Sequence, residues 1–372
     1  MEHSSTSDWA PNSDGPETPR VAGRGGFFRE CLALGLAALM LVLPVSAQTP
    51  PSGLRNDVVF TEYFPFSSTA EIVRRLFSPL KALRINQEAA GAGRTLRGQP
   101  VDLAKERYSV YVPASPHSPS SAYSLLVFIP PWPRAEVPRN WIPILDRYNT
   151  ILVTAANSGN EAATFDRRAP LALLAAVNIM AQYPVDPQQV YIGGFSGGSR
   201  VALRVALGYP DVFHGALLDA GSDAIGTPDI PLPAADLFRR FQESTRLVYM
   251  TGEHDEENLA LAMQSQRSLD KWCVFDVLAQ TVPRTGHELA DSASFSRALG
   301  SLLGPRQSPS SKLAECRARI DRELTAQLEQ VESARARGES AAAMQLLDKI
   351  DGRYGGLAGP RSVELEAAPH PM

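Results

Sequence analysis

Short apolar runs alternate along this chain with longer segments in which apolar residues recur every three or four positions. The short runs have the length and composition of buried strands, and the segments between them have the period of helices. Alternating strands and helices favour an α/β fold, with a mostly parallel sheet covered by helices on both faces. The predicted strands are 125–129, 151–154, 190–193, 215–218, 246–250 and 274–278.

Helical patterns flank this region on both sides. An amphipathic stretch at 70–86 predicts one helix before the strands. After a linker-like stretch, apolar spacings of three and four predict a long helix that Gly338 ends, and 341–350 begins a second helix. We therefore predict that 305–372 comprises a linker, a C-terminal helical hairpin and a tail. One such hairpin cannot bury its apolar face alone, so we expect it to pack on the preceding domain rather than on a partner.

The residues Gly194-Phe195-Ser196-Gly197-Gly198 lie between a predicted strand and a predicted helix. This Gly-x-Ser-x-Gly pattern forms a sharp turn that holds a serine in a strained backbone conformation, and its small residues let strand and helix pack closely. The turn also places a helix N-terminus beneath a developing oxyanion. Ser196 is therefore the candidate nucleophile. A glycine-rich turn with no catalytic role is the alternative.

A serine nucleophile at such a turn needs an acid and a histidine, which follow it in that order at the ends of later strands. Asp255 follows the fifth predicted strand and His287 follows the sixth. We predict that His287 takes the serine proton and that Asp255 orients His287. Glu253 and Asp219 remain open as the acid. The histidines in less suitable positions are His3, His117, His214, His254 and His370.

The oxyanion hole requires two N–H donors. One is predicted to be the amide of Gly197, directly after the nucleophile, and the other lies in the loop after 125–129. That loop reads Pro130-Pro131-Trp132. Proline has no N–H, so the amide of Trp132 is the predicted second donor.

These motifs resemble those of α/β-hydrolase-fold serine esterases across about 106–303, and are most similar to the secreted poly(hydroxyalkanoate) depolymerase and feruloyl esterase branch. The resemblance implies the α/β-hydrolase fold, ester substrates, catalytic roles for Ser196, Asp255 and His287, and oxyanion donation by Gly197 and Trp132. The chain departs from this family where Pro130-Pro131 replaces the His-Gly of many members. The stretches that carry the resemblance are 107–113, 130–131, 186–198, 252–255 and 286–288.

The front of the chain predicts export to a periplasm or beyond. Three arginines precede an apolar run that ends in Val45-Ser46-Ala47, which is the layout of a signal peptide spanning 1–47. An uncleaved membrane anchor is the alternative. We predict that the catalytic domain follows this segment and spans 48–304. In an oxidising compartment we expect Cys273 and Cys316 to form a disulfide rather than two buried thiols.

Composition narrows the possible functions. The chain of 372 residues has a formal net charge of −4, and no basic stripe favours nucleic-acid binding. Its histidines lack metal-ligand spacing, so neither a metal nor a cofactor is expected. The sequence therefore predicts an exported serine hydrolase that cleaves small or polymeric carboxylic esters through an acyl-enzyme. The alternative is an inactive hydrolase-like binding or scaffold protein whose C-terminal hairpin engages a protein partner.

Overall fold

An eight-stranded sheet lies at the centre of the computed structural model, which describes residues 51–114, 122–305 and 311–368. The predicted signal peptide lies outside these residues. The strands are β1 Gly53–Val59, β2 Arg107–Val112, β3 Tyr123–Ile129, β4 Thr150–Ala155, β5 Val185–Phe195, β6 Gly215–Asp219, β7 Arg246–Gly252 and β8 Val277–Val282. Their spatial order is β1-β2-β4-β3-β5-β6-β7-β8. The pairs β1–β2 and β2–β4 are antiparallel, and every other neighbouring pair is parallel.

Helices cover both faces of the sheet, as the alternating pattern predicted. The helices are α1 Thr69–Leu76, α2 Pro79–Gly91, α3 Ile142–Arg147, α4 Ala169–Gln182, α5 Gly197–Gly208, α6 Ala235–Ser244, α7 Glu256–Lys271, α8 Ser292–Leu303, α9 Ser311–Ala336, α10 Ser340–Tyr354 and α11 Gly359–Ala367. Helices α3 and α8 enclose one apolar core, in which Trp141 stacks on Phe295. The remaining helices contribute to the core on the opposite face.

Five predicted strands coincide with β3 to β7, but the sixth is displaced. The sequence predicted 274–278, whereas β8 begins at Val277. Cys273 has a positive φ of 63°, and Val274 is buried in the core before the strand begins. Strand β8 is the edge of the sheet and is partly exposed, so its own apolar pattern is weak. The prediction therefore took buried residues of the preceding loop for the strand.

The amphipathic stretch before the strands is two helices rather than the single helix predicted. Helix α1 ends at Leu76 and α2 begins at Pro79. Proline lacks the N–H that would continue α1, and it favours an extended residue before it. Ser78 accordingly has φ −68° and ψ 154°.

The C-terminal helices pack on the sheet domain, which confirms that expectation. Helices α9 and α10 form the predicted hairpin, and their apolar residues belong to the same core as α4 and α5. The carboxylate of Asp351 accepts hydrogen bonds from the hydroxyl of Ser78 and, at 3.0 Å, from the amide of Leu80. The predicted tail is wrong in part, because 359–367 forms α11, with Leu365 buried against the hairpin.

Candidate active site

The turn between β5 and α5 holds Ser196 in the strained conformation that the motif predicted. Ser196 has φ 54° and ψ −123°, a backbone region that L-residues rarely adopt. The flanking glycines leave no room for a side chain. A Cβ on Gly198 would lie 1.9 Å from the carbonyl oxygen of Ile129, and one on Gly194 would lie 2.4 Å from the carbonyl carbon of Gly198. Backbone crowding therefore requires glycine at both positions.

Ser196, His287 and Asp255 form one hydrogen-bonded chain at the carboxyl end of the sheet. The Nε2 of His287 lies 2.9 Å from the Oγ of Ser196, and its Nδ1 lies 2.7 Å from the Oδ2 of Asp255. The carboxylate can only accept, so Nδ1 carries the proton and Nε2 is free to accept the serine proton. Asp255 is buried, whereas the side chain of His287 is 44% exposed. The His287 ring is therefore open to solvent on the side away from Asp255.

Asn258 supports this chain, and sequence reasoning did not identify it. Its Nδ2 donates to both carboxylate oxygens of Asp255, at 2.9 and 3.0 Å. Burial raises the pKa of Asp255, but the hydrogen bonds from Asn258 and His287 outweigh burial and lower it. Asp255 is the N-cap of α7, and Asn258 lies three residues later on the first turn. A polar residue three positions after a capping acid often hydrogen-bonds back to it, so this spacing could have identified Asn258 from the sequence.

The alternative acids have other partners. A carboxylate oxygen of Glu253 accepts from the amide of Arg284 at 2.8 Å. Asp219 is fully buried, and its Oδ2 accepts from the amide of Ala290 at 2.9 Å. Burial raises the pKa of Asp219 to about 8.

Of the three histidines that the structure describes, only His287 is hydrogen-bonded to Ser196. His214 precedes β6 and is buried, and the exposed His254 precedes Asp255. His3, His117 and His370 lie outside the described residues.

Two loops interlock beside the turn that carries Ser196, and one of them carries Trp132. The amide of Asn160 donates to the carbonyl of Pro131 at 2.9 Å, and the amide of Asn157 donates to the carbonyl of Pro133. The guanidinium of buried Arg168 donates to the carbonyls of Ser158 and Pro130, so it holds both loops. Burial lowers the pKa of Arg168 to about 10.

The Asn160 side chain reaches the nucleophile turn from these loops. Its Oδ1 lies only 2.2 Å from where a Cβ on Gly197 would stand. The interlocked loops therefore bring the segment that follows β3 close to Gly197, the other predicted oxyanion residue.

Aromatic rings connect Trp132 to the histidine. The ring of Phe195 lies 5.0 Å from the His287 ring and 6.3 Å from the Trp132 ring, measured between centroids. Trp132 also lines a groove of about 600 Å³ together with Val137 and Leu289. The indole Nε1 of Trp132 is buried and has no acceptor among the residues that the structure describes. Arg134, Glu136 and Arg139 also line the groove, so its wall carries both apolar and charged side chains.

The described ranges contain neither a metal-ligand cluster nor a membrane-spanning helix. No group of three or more His, Cys, Asp and Glu side chains there is arranged to hold a metal ion. No helix in those ranges is both long enough and apolar enough to span a bilayer.

No protein-family model matches the chain, and no curated protein matches it by sequence. Solved structures are similar to it at low identity. A ferulic acid esterase is 17% identical with a TM-score of 0.41, over 53% of this chain and 90% of that one. The poly(3-hydroxybutyrate) depolymerase of Bordetella parapertussis is 19% identical with a TM-score of 0.39, over 57% and 88%. A puromycin-hydrolyzing peptidase of Mycobacterium tuberculosis is 14% identical with a TM-score of 0.40, over 54% and 38%.

The fold itself follows from the sheet. A mostly parallel sheet with helices on both faces has two antiparallel pairings at its first edge. A serine sits on a strained turn after β5, and the acid and the histidine follow β7 and β8. This strand order, with a Gly-x-Ser-x-Gly turn after the fifth strand, is that of the α/β-hydrolase fold. The chain has the α/β-hydrolase fold, extended by a C-terminal helical hairpin.

Proposed function

We propose that this protein is a serine hydrolase that cleaves carboxylic esters through an acyl-enzyme. The observation that carries the proposal is the hydrogen-bonded chain from Ser196 through His287 to Asp255, with Ser196 at a strained turn. A serine hydroxyl is a weak nucleophile until an adjacent base removes its proton, and this geometry supplies that base. Because the hydrogen bonds from Ser196 through His287 to Asp255 are all present, we favour an enzyme over the binding or scaffold alternative.

In the proposed reaction, the Oγ of Ser196 forms a bond to the ester carbonyl carbon while its proton passes to Nε2 of His287. The carbonyl π electrons move onto oxygen and give a tetrahedral oxyanion. When the oxyanion collapses, the carbon–oxygen bond to the alcohol breaks, and the imidazolium of His287 protonates the departing oxygen. Asp255 stabilises the imidazolium while it exists. A water molecule, deprotonated by His287, then releases the acid and regenerates Ser196.

The oxyanion requires N–H donors fixed in place before the reaction. In the proposal, the amides of Gly197 and Trp132 supply them, since Pro130 and Pro131 carry no N–H. The hydrogen bonds that Arg168 and Asn160 make to the proline loop support this assignment, because they restrict its movement. Loss of one such donor typically costs about 3 kcal/mol of transition-state stabilisation.

The groove that starts at Trp132 supports esters that are larger than acetate. Its volume of about 600 Å³ is of the size that accommodates small organic ligands, and Trp132, Val137 and Leu289 give it apolar surface. We assign this groove to the part of the substrate that extends from the scissile bond. Both small esters and the ends of polymeric esters remain substrates in this proposal.

Export is also part of the proposal. The disulfide between Cys273 and Cys316, with Cα atoms 5.8 Å apart, supports an oxidising compartment. We infer that 1–47 is a signal peptide, that 48–304 is the catalytic domain, and that 305–372 is a helical extension packed on it.

The test is labelling of the folded protein with a fluorophosphonate, followed by mass spectrometry of the modified peptide. We expect one adduct on Ser196, no adduct in Ser196→Ala, and labelling at least a hundredfold slower in His287→Ala. His254→Ala is the matched control, because that exposed histidine is not hydrogen-bonded to the triad, and it should label like the wild type. Folded wild-type protein that takes no label would overturn the proposal.

Substrate class needs a second measurement. We expect the wild-type protein to hydrolyse 4-nitrophenyl butyrate and to leave the matching 4-nitroanilide uncleaved. Comparable rates on the two compounds would contradict the ester assignment while leaving the serine hydrolase assignment standing.

A further inference from the structure

A cavity of about 500 Å³ borders α5 and shares no lining residue with the groove at Trp132. The joint between α1 and α2 forms one wall, and the short helical turn Thr164–Arg168 forms another. The loop after β6 and the outer face of α7 complete it. None of the triad residues lines this cavity, and it has no role in the reaction proposed above.

Arg204 faces the cavity without a charged partner. Its guanidinium lies 5.2 Å from the centroid of the Phe165 ring. Throughout the described part of the chain, no hydrogen bond or ion pair reaches it. Arg200, one turn earlier on α5, is by contrast paired with Asp223. Burial lowers the pKa of Arg204, against the opposing attraction of Asp223 and Asp229. A half-buried arginine whose donors lack acceptors is unfavourable unless something else supplies them.

A second cation lies on the same cavity. The Nζ of Lys81 is 5.1 Å from the centroid of the Phe77 ring, and no carboxylate in the described ranges lies within ion-pair distance of it. The rings of Phe77 and Phe165 are themselves in contact, with centroids 4.3 Å apart. The two cations are therefore attached to a shared pair of aromatic rings, and both border the same empty space.

The charged residues that line the cavity favour a ligand with a single negative charge. Two carboxylates line the cavity, but Asp223 is already neutralised by Arg200, and Asp229 is exposed at the surface. Lys81 and Arg204 thus exceed the remaining carboxylate by one positive charge. One negative charge on a ligand is favoured by this balance, and a second would meet repulsion from Asp229. The planar guanidinium of Arg204 matches the two oxygens of a carboxylate.

Part of the remaining wall is apolar, although Ser78, Thr227 and Gln264 also line it. Leu76 and Leu261 line the cavity beside the two phenylalanine rings, so a hydrocarbon chain or ring can lie against them. We propose that this cavity binds a monocarboxylate carried on an apolar chain or ring. Arg204 lies eight positions after Ser196, the N-cap of α5, which corresponds to about 12 Å along the helix axis. The site is therefore distinct from the triad, and binding there does not require the chemistry proposed at Ser196.

The test is calorimetric titration of the full mature chain carrying Ser196→Ala with sodium octanoate and with 1-octanol. We expect octanoate to bind at least tenfold more tightly than octanol. Arg204→Met and Lys81→Met should each weaken octanoate binding at least fivefold. Lys271→Met is the matched control, because Lys271 makes the same kind of contact with a ring, that of Trp272, away from the cavity.

Unfolding curves of every variant show whether it is folded, and Lys81 is an exposed side chain whose removal leaves the core intact. If octanoate does not bind, or binds Lys81→Met and Arg204→Met as tightly as the parent, the proposal is overturned. Equal affinity for octanol and octanoate would also overturn it, because the cations would then have no role.

A kinetic experiment, which rests on the proposed function, distinguishes two possibilities. The bound carboxylate is either part of the ester substrate or a separate ligand. The experiment compares 4-nitrophenyl octanoate with the mono-4-nitrophenyl ester of octanedioic acid on the wild-type protein. A preference for the acidic ester that Arg204→Met abolishes would assign the cavity to the far end of the substrate. Octanoate binding without that preference would assign it to a separate carboxylate, and inactivity on both esters would count only against the esterase.

Discussion

Gly198 lies against the carbonyl oxygen of Ile129 so closely that a Cβ on the glycine would stand 1.9 Å from that oxygen. Ile129 is the last residue of β3 and Gly198 is in the first turn of α5. Direct backbone contact between these elements brings Pro130 beside Gly198, which directly follows Gly197. The glycine therefore determines the distance between the two halves of the proposed oxyanion hole.

Gly198→Ala is expected to separate these elements and to destabilise the fold. The added methyl group meets backbone atoms that cannot rotate away, and overpacking of this kind typically costs about 1–3 kcal/mol. Gly197→Ala is the matched comparison, because its methyl group meets the Asn160 side chain, which can rotate. Chemical unfolding and fluorophosphonate labelling should show the larger loss in Gly198→Ala. Equal losses in the two variants would contradict this account.

Asn258→Ala is expected to slow catalysis without weakening substrate binding. Asn258 touches Asp255 and not the reacting atoms, so it is a positioning residue. Loss of its hydrogen bonds to the charged Asp255 should raise the activation free energy by about 1.5–3 kcal/mol at most. The expected fall in kcat is therefore at most roughly a hundredfold. The pKa of Asp255 should rise in this variant. As the pH is lowered, activity should therefore begin to decline at a higher pH than in the wild type. Unchanged kcat and an unchanged pH profile would show that Asn258 is dispensable.

Asp219 should make stability depend on pH. Burial raises its pKa from 3.8 to about 8, so between these values the folded protein keeps a proton that the unfolded chain releases. The free energy of unfolding should therefore fall as pH rises from about 4 to 8, by up to about 1.4 kcal/mol per pH unit. Above pH 8 this contribution levels off.

Asp219→Asn removes the titration and should flatten that slope, whereas Asp236→Asn, at an exposed position on α6, should retain it. Urea unfolding of both variants at a series of pH values provides the measurement. An unchanged slope in Asp219→Asn would mean that another group is responsible.

Reduction of the disulfide should lower stability more than it lowers activity. The disulfide joins residues 43 positions apart and closes a loop of that length in the unfolded chain. The lost entropy of the unfolded chain corresponds to about 4 kcal/mol of stabilisation of the fold. Both cysteines lie away from the triad, so reduced folded protein should still label at Ser196. Cys273→Ser/Cys316→Ser should unfold like the reduced wild type and should not respond to a reductant. A reductant effect of similar size in that double variant would contradict the assignment.

Local sequence patterns were sufficient for much of this molecule. Five of the six predicted strands lie where the structure has them, because their residues are buried on both faces and form continuous apolar runs. The turn at Ser196 was predictable for a similar reason, since close backbone packing demands glycine nearby. The edge strand β8 and the break at Pro79 were missed because a partly exposed strand and a two-residue joint leave weak or mixed patterns.

The sequence by itself determined the strand order of the candidate residues, and hence that Ser196, an acid and His287 would meet at one edge of the sheet. Only the tertiary structure decided which acid reaches the histidine: Asp255 does, while Glu253 and Asp219 bind backbone amides. The interlocked loops and the cavity at Arg204 were likewise invisible in the sequence, and the hydrogen bonds from Asn258 to Asp255 were recognised only in the structure. Periodicity reports how each segment faces the core, whereas these features arise from contacts between side chains far apart along the chain.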